Sequence, residues 1–202
     1  MAKRSVPPPR AWQRMLSGRR LDLLDPSPLD VEIEDVAHGL ARVARWNGQT
    51  SGAHIFSVAQ HSLMVEAVAR QMREGLGART CLMILLHDAA EYVIGDMISP
   101  LKAMLNDSYK PVENRILSAV MLRFGLPATM PRDVQALAKA ADTVVAHHEA
   151  VTLAGFAEAE AIRFFGSRVD LAREVRDMLV PWSADDAKHR FITRFDHLLA
   201  EI

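Results

Sequence analysis

The 202-residue chain holds a single cysteine, Cys81, which excludes an intrachain disulfide. The thiol lies inside the apolar run Cys81-Leu82-Met83-Ile84, and no neighbour marks it as activated, so it is expected to be plain core. Net charge is almost absent: 24 Lys and Arg stand against 25 Asp and Glu, leaving -1. No overall field would draw in a nucleic-acid polymer or an anionic membrane, and a small-molecule substrate fits better. Apolar runs long enough to span a membrane are missing too. Lys3 and Arg4 are followed by Pro7-Pro8-Pro9, where a secretory leader would need an apolar stretch. A cytoplasmic protein with a reduced thiol is the expectation.

What is present is helical patterning. The length suits one domain with enough buried apolar surface to need no cross-links. Residues 1–10 read as a flexible arm and 11–202 as a single all-α domain of about seven to nine helices, with a motif core near 36–150. A small hairpin using Leu21–Leu24 and Val31–Ile33 is the one strand signal. The first helix carries Glu34 and Asp35 in its first turn and delivers Arg45 and Trp46 at its end. Val58 to Met72 forms the next, and Gly75 and Gly77 then break the chain before a central helix stopping near Gly95. Ser99-Pro100 starts a short helix ended by Asn106-Asp107-Ser108, and residues 111–124 form another. A helix over about 132–153 follows. The last is capped by Ser183 and carries a stripe of Phe191, Ile192, Phe195, Leu198, Leu199 and Ile202. That stripe and the N-terminal apolar segment exceed what one layer of helices needs, so a homodimer is expected.

The chain's chemistry centres on Leu85-Leu86-His87-Asp88-Ala89-Ala90-Glu91, with Gly95-Asp96 beyond it. The preceding run is apolar on most sides, so its helix is buried and takes His87, Asp88 and Glu91 inward. At helical spacing His87 and Glu91 are i,i+4 and Asp88 and Glu91 are i,i+3, so the three can converge. Burying unpaired charges costs several kcal/mol each, roughly, and a divalent ion is the simplest compensating partner. Neighbours on a helix diverge by about 100°, so further ligands must come from elsewhere. His61 and Asp142 each sit among small and apolar residues, as a polar group on an inward face would. Two imidazoles and two carboxylates suit a first-row divalent ion such as Mn, Co, Zn or Fe.

The order His61…His87-Asp88…Asp142 resembles the HD-domain metal-dependent phosphohydrolases. The further pattern His87-Asp88-x-x-Glu91-x-x-x-x-Asp96, with Arg45-Trp46 upstream, resembles the branch typified by bacterial 5'-deoxynucleotidases. The resemblance implies an enzyme that hydrolyses a small phosphorylated substrate, a nucleoside 5'-monophosphate, at one divalent ion held by His61, His87, Asp88 and Asp142. Glu91 would orient or deprotonate the attacking water, or would merely fix a ligand. Arg45 offers a planar charged fork for phosphate, or is a solvated helix-end arginine. By resemblance Trp46 walls the sugar side and Asp96 contacts the sugar or assists proton transfer; an aromatic core residue and a loop cap are their plainer readings. Another phosphate ester or a pyrophosphate, such as an alarmone or nucleoside triphosphate, stays open as substrate. So does a non-catalytic, metal-containing nucleotide-binding module. In His147-His148-Glu149 the histidines read as surface and Glu149 as pocket lining. Lys102 and Lys110 read as auxiliary phosphate contacts or as plain exposed lysines, and His38, His54, His189 and His197 fall outside the motif.

Overall fold

A computed structural model describes residues 10–202. The arm expected over 1–10 lies outside the described residues except for Arg10. Among those residues the chain forms nine α-helices and one two-stranded hairpin, the all-α class expected.

The hairpin forms earlier than its strand signal suggests: β1 (Trp12–Arg14) pairs antiparallel with β2 (Arg20–Asp22), Gln13 opposite Leu21. Gly18, at φ 87, supplies the left-handed position its turn needs. Val31 is instead taken into the core after a single 3-10 turn at Pro28–Asp30.

Helix α1 (Ile33–Leu40) is followed by α2 (Val58–Met72), α3 (Ala78–Leu85), α4 (Glu91–Ile94) and α5 (Ser99–Arg123). Then come α6 (Arg132–Thr152), α7 (Glu158–Phe165), α8 (Arg173–Arg176) and α9 (Ala184–Ala200). The centre of the packing is α2, which lies against α6, α3, α9 and α1. Eleven of its fifteen residues are buried, too many for a helix with one solvent face. Ser57 caps it by accepting the Gln60 N–H, and buried Gln60 in turn donates to the carbonyls of Met178 and Val180 and accepts from the Trp182 N–H. At the far end buried Glu66 accepts from Arg70 and from Arg194 of α9. These bonds fix the rotation and register of the helix that carries His61.

Three elements depart from the expected pattern. The central helix does not run to Gly95: α3 ends at Leu85, residues 86–90 are turns, and α4 begins at Glu91. The first helix stops at Leu40, so Arg45 and Trp46 do not sit on its end. Extended residues Ala44 and Ser57 form an isolated bridge instead, with Arg45 N–H on Phe56 O and Val58 N–H on Val43 O. Helix α5 runs unbroken where two helices were expected, with Pro111 inside it. Polar residues such as Asn, Asp and Ser cost a helix interior only about 0.7 kcal/mol each, so the triplet at 106–108 does not compel a stop. The α9 stripe is spent largely within the chain: Phe191, Phe195 and Leu198 are buried in the continuous core running from Leu21 to Leu198, while Leu199 and Ile202 remain exposed.

Gly39 lets α1 approach α4, since a Cβ there would stand 2.6 Å from the Tyr92 carbonyl oxygen. Gly39→Ala must therefore push the α4 segment outward. A loss of about 1–3 kcal/mol is expected, the usual cost of overpacking. Thermal melts check it; an unchanged Tm would contradict the close packing of these two helices.

Candidate metal centre

The break after α3 is what builds the site. His87, Ala89 and Glu91 each donate their N–H to the third residue back, at 3.2, 3.0 and 3.0 Å. In such a tight winding, side chains three apart eclipse, which stacks Asp88 and Glu91 on one side. Ile84 O, which an unbroken helix would use four residues on, receives both the His87 N–H and, at 2.9 Å, the ring Nδ1–H of the same residue. With Nδ1 donating, the lone pair of His87 is on Nε2.

His61, the one expected ligand on α2, presents its Nε2 to the same centre by a different route. Its Nδ1 lies 2.6 Å from Glu149 Oε1 of α6 and donates to that carboxylate, which leaves Nε2 as the nitrogen able to take up a proton or an ion. Both Nε2 atoms are buried and neither has a hydrogen-bond partner. They face carboxylates nonetheless: His61 Nε2 is 3.4 Å from Asp142 Oδ1 and 3.6 Å from Asp88 Oδ2, and His87 Nε2 is 3.1 Å from Asp88 Oδ2. Ligand atoms of His61, His87 and Asp88 all lie within 4.8 Å of one another. Asp142 joins them through its approach to His61, while its other oxygen accepts from Lys139 at 2.8 Å. An orphaned buried nitrogen normally costs about 1–3 kcal/mol. Two orphans converging on Asp88, with Asp142 beside His61, fit a cation between them, and the N2O2 donor set suits a first-row divalent ion.

Electrostatics agree. Burial and Arg45 disfavour a charged His61, yet the carboxylates of Glu149 and Asp142 outweigh them and push its pKa up to about 10. Burial opposes ionisation of Asp88 and Asp142, but the neighbouring histidines hold both well below the usual carboxylate range. Without an ion, the imidazole itself is the counter-charge.

Around this centre, Arg45 is almost enclosed. Its Nε and Nη2 donate to Glu149 Oε2 at 3.2 and 3.1 Å and its Nη1 to Asp96 Oδ2 at 3.1 Å. Trp46 donates its indole N–H to the same Glu149 oxygen at 2.8 Å, and its ring packs against Phe156 and Phe165. Trp46 and Asn47 both adopt left-handed backbone, φ 55 and 50, a strain of order 1–3 kcal/mol each that the surrounding bonds must hold. Glu91 is buried; Oε1 accepts from Lys102 at 3.0 Å and Oε2 has no partner. Burial first, then the charges of Asp88 and Asp96, push its pKa up to about 9 against the pull of Lys102.

The sequence reading underrated Glu149, which is wholly buried and accepts from His61, Arg45 and Trp46 at once. The two-turn spacing from Asp142 was its one signal. Two other readings need correction. His147 and His148 are buried, not surface: His147 Nδ1 donates to Gly166 O with Nε2 3.2 Å from Glu158, and His148 Nε2 donates to Val169 O. Lys102 is engaged by Glu91, and Lys110 by Glu113 at 2.6 Å.

The family described as 5'-deoxynucleotidase YfbR-like matches residues 36–179. An uncharacterized protein of Rhodobacter capsulatus is 60% identical over 157 residues, covering 78% of this chain and 80% of its own length. The uncharacterized protein YfdR of Escherichia coli K12 is 33% identical over 106 residues, 52% of this chain and 54% of its own.

A stability prediction follows from the charge pattern. His61 is raised above its ordinary 6.5, so what it contributes is fully present below pH 6.5 and is lost as pH rises through about 10. Glu91 is raised above 4.5 and acts in the same direction, since the folded chain holds a proton that the unfolded chain has released. Chelator-treated protein should therefore show a Tm that falls between pH 7 and 9. Saturation with a divalent ion should flatten that fall, because the ion replaces the proton on His61. A chelated Tm that stays level or climbs over this interval would contradict the assignment of protons.

Proposed function

The chain belongs to the YfbR-like 5'-deoxynucleotidase family of HD-domain hydrolases, and from that membership we propose that it is a metal-dependent phosphohydrolase acting on a nucleoside 5'-monophosphate. The observation that carries the reading is the pair of buried, partnerless Nε2 atoms of His61 and His87 facing Asp88 and Asp142. These four residues hold one divalent ion, of the Mn, Co, Zn or Fe type. Such an ion supplies a Lewis acid for the phosphoryl group and acidifies water at neutral pH.

The protein's own groups do the rest. Glu91 Oε2, the oxygen without a partner, takes a proton from the attacking water as the water oxygen bonds to phosphorus, and that proton passes on to the leaving 5'-oxygen as the P–O ester bond breaks. Lys102 fixes the other oxygen and so aims the carboxyl group. Added positive charge beside Asp88 lowers the pKa of Glu91 toward that of a base. Arg45 spends three of its five N–H donors on Glu149 and Asp96, and the remaining two are available to phosphate. Trp46 walls the sugar side and Asp96, tethered by Arg45, meets a sugar hydroxyl. Five carboxylates around the site, Asp88, Glu91, Asp96, Asp142 and Glu149, against the cations Arg45, Lys102 and Lys139 weigh against a triphosphate or alarmone. A cytoplasmic location belongs to the same proposal; no helix among the described residues is long and apolar enough to cross a membrane. So does a homodimer, for which Leu16, Leu24 and Leu29 leave exposed apolar surface near the hairpin.

Inorganic phosphate release is the test, measured over a panel of nucleoside mono- and triphosphates and sugar phosphates with each divalent ion. The monophosphates should turn over fastest. Glu91→Gln should keep its metal and lower kcat by about two to four orders of magnitude. A variant with both its metal and near-normal turnover would remove Glu91 from the reaction.

A further inference from the structure

Glu149 stands on α6 seven residues after Asp142, two turns along the same face, and is not one of the ions' four expected ligands. Its two oxygens divide the site between them. Oε1 takes the Nδ1–H of His61 at 2.6 Å; Oε2 takes Trp46 Nε1 at 2.8 Å together with Nε and Nη2 of Arg45 at 3.2 and 3.1 Å. We propose that Glu149 is a positioning residue that couples the metal side of the site to its substrate side. The inference deepens the reading above and rests on it in taking His61 as a ligand.

Only a carboxylate can fill this place. Every group pointing at it is a donor, so four N–H bonds need two acceptor oxygens. A glutamine offers one: whichever way its amide is turned, its NH2 confronts either His61 or the Arg45–Trp46 turn, and one side is left unpaired. With Glu149 in place the His61 tautomer is fixed and its Nε2 is aimed at Asp88 and Asp142. The same residue anchors the left-handed backbone at Trp46 and Asn47. Exchange of the proton on Nε2 for a cation changes the donor strength of the opposite Nδ1–H, and with it the division of Glu149 between His61 and Trp46. The indole N–H should therefore sense an ion that Trp46 does not touch.

Zinc titration followed by 15N–1H NMR of the wild-type protein tests this without recourse to turnover. The indole resonance of Trp46, identified by its loss in Trp46→Phe, should shift with the same midpoint as zinc uptake, while those of Trp12 and Trp182 stay in place. Glu149→Gln should bind zinc about 10–100-fold more weakly, the usual cost of losing a partner behind a metal-ligating histidine. At saturating zinc its Trp46 indole should no longer respond. If the wild type takes up zinc and the Trp46 resonance does not move, the coupling is overturned and the phosphohydrolase reading stands. If it takes up none of zinc, manganese, cobalt and iron by elemental analysis, both fall. Should Glu149→Gln fail to fold, the wild-type shift alone decides.

Discussion

Too many carboxylates around two histidines, with too few cations to match, is the constraint on which this structure turns. Asp88, Asp142, Glu91, Asp96 and Glu149 gather where the described cations are Arg45, Lys102 and, on the outer oxygen of Asp142, Lys139, each already shared or engaged. Arg45 is held firmly charged by Glu149 and Asp96, and Lys102 by Glu91. Between His61, His87, Asp88 and Asp142 the remaining counter-charge is the proton held by His61. Buried like charges at such range repel by several kcal/mol, about 4 kcal/mol for a pair 4 Å apart at an effective dielectric of 20. A divalent ion relieves that repulsion and gives both orphaned nitrogens a partner.

The fold can be understood as the scaffold that holds those groups in place. Helix α2 is locked in rotation by Gln60 and Glu66 on either side of His61, so the imidazole has one direction to face. The tight turns at 86–90 hold His87 and Asp88 at the end of the buried apolar run Cys81–Leu85 of α3. From the other side α6 packs along α2 and supplies Asp142 and Glu149 from one face. The Arg45–Trp46 turn closes the ring, strained at Trp46 and Asn47 and held by Glu149 and by the Ala44–Ser57 bridge. Strain stored beside a binding site and balanced by hydrogen bonds is a usual sign of pre-organisation.

How much of this was legible in the sequence depended on whether a residue's signal was local. His61 and Asp142 stood out because a charged group inside an apolar helical pattern needs a reason to be buried, and α2 and α6 could be placed from periodicity and the start of α9 from Ser183. The family itself followed from the order of four residues. The helix break at Leu86 was not visible, since the run around it is apolar and carries neither Gly nor Pro. Glu149 was hidden because its three partners are more than eighty residues away in the chain. His147 and His148 looked like solvated neighbours because the carbonyls that accept from them belong to residues 166 and 169, a segment whose fold no local pattern announces.

The central claim is that the two free Nε2 atoms and the two aspartates enclose a single cation, and anomalous diffraction from a crystal soaked in manganese or zinc addresses it directly. One strong peak bonded to His61 Nε2, His87 Nε2, Asp88 and Asp142 is the predicted result. A map with no peak there, or with the ion held at other residues while His61 Nε2 keeps its proton, would contradict it.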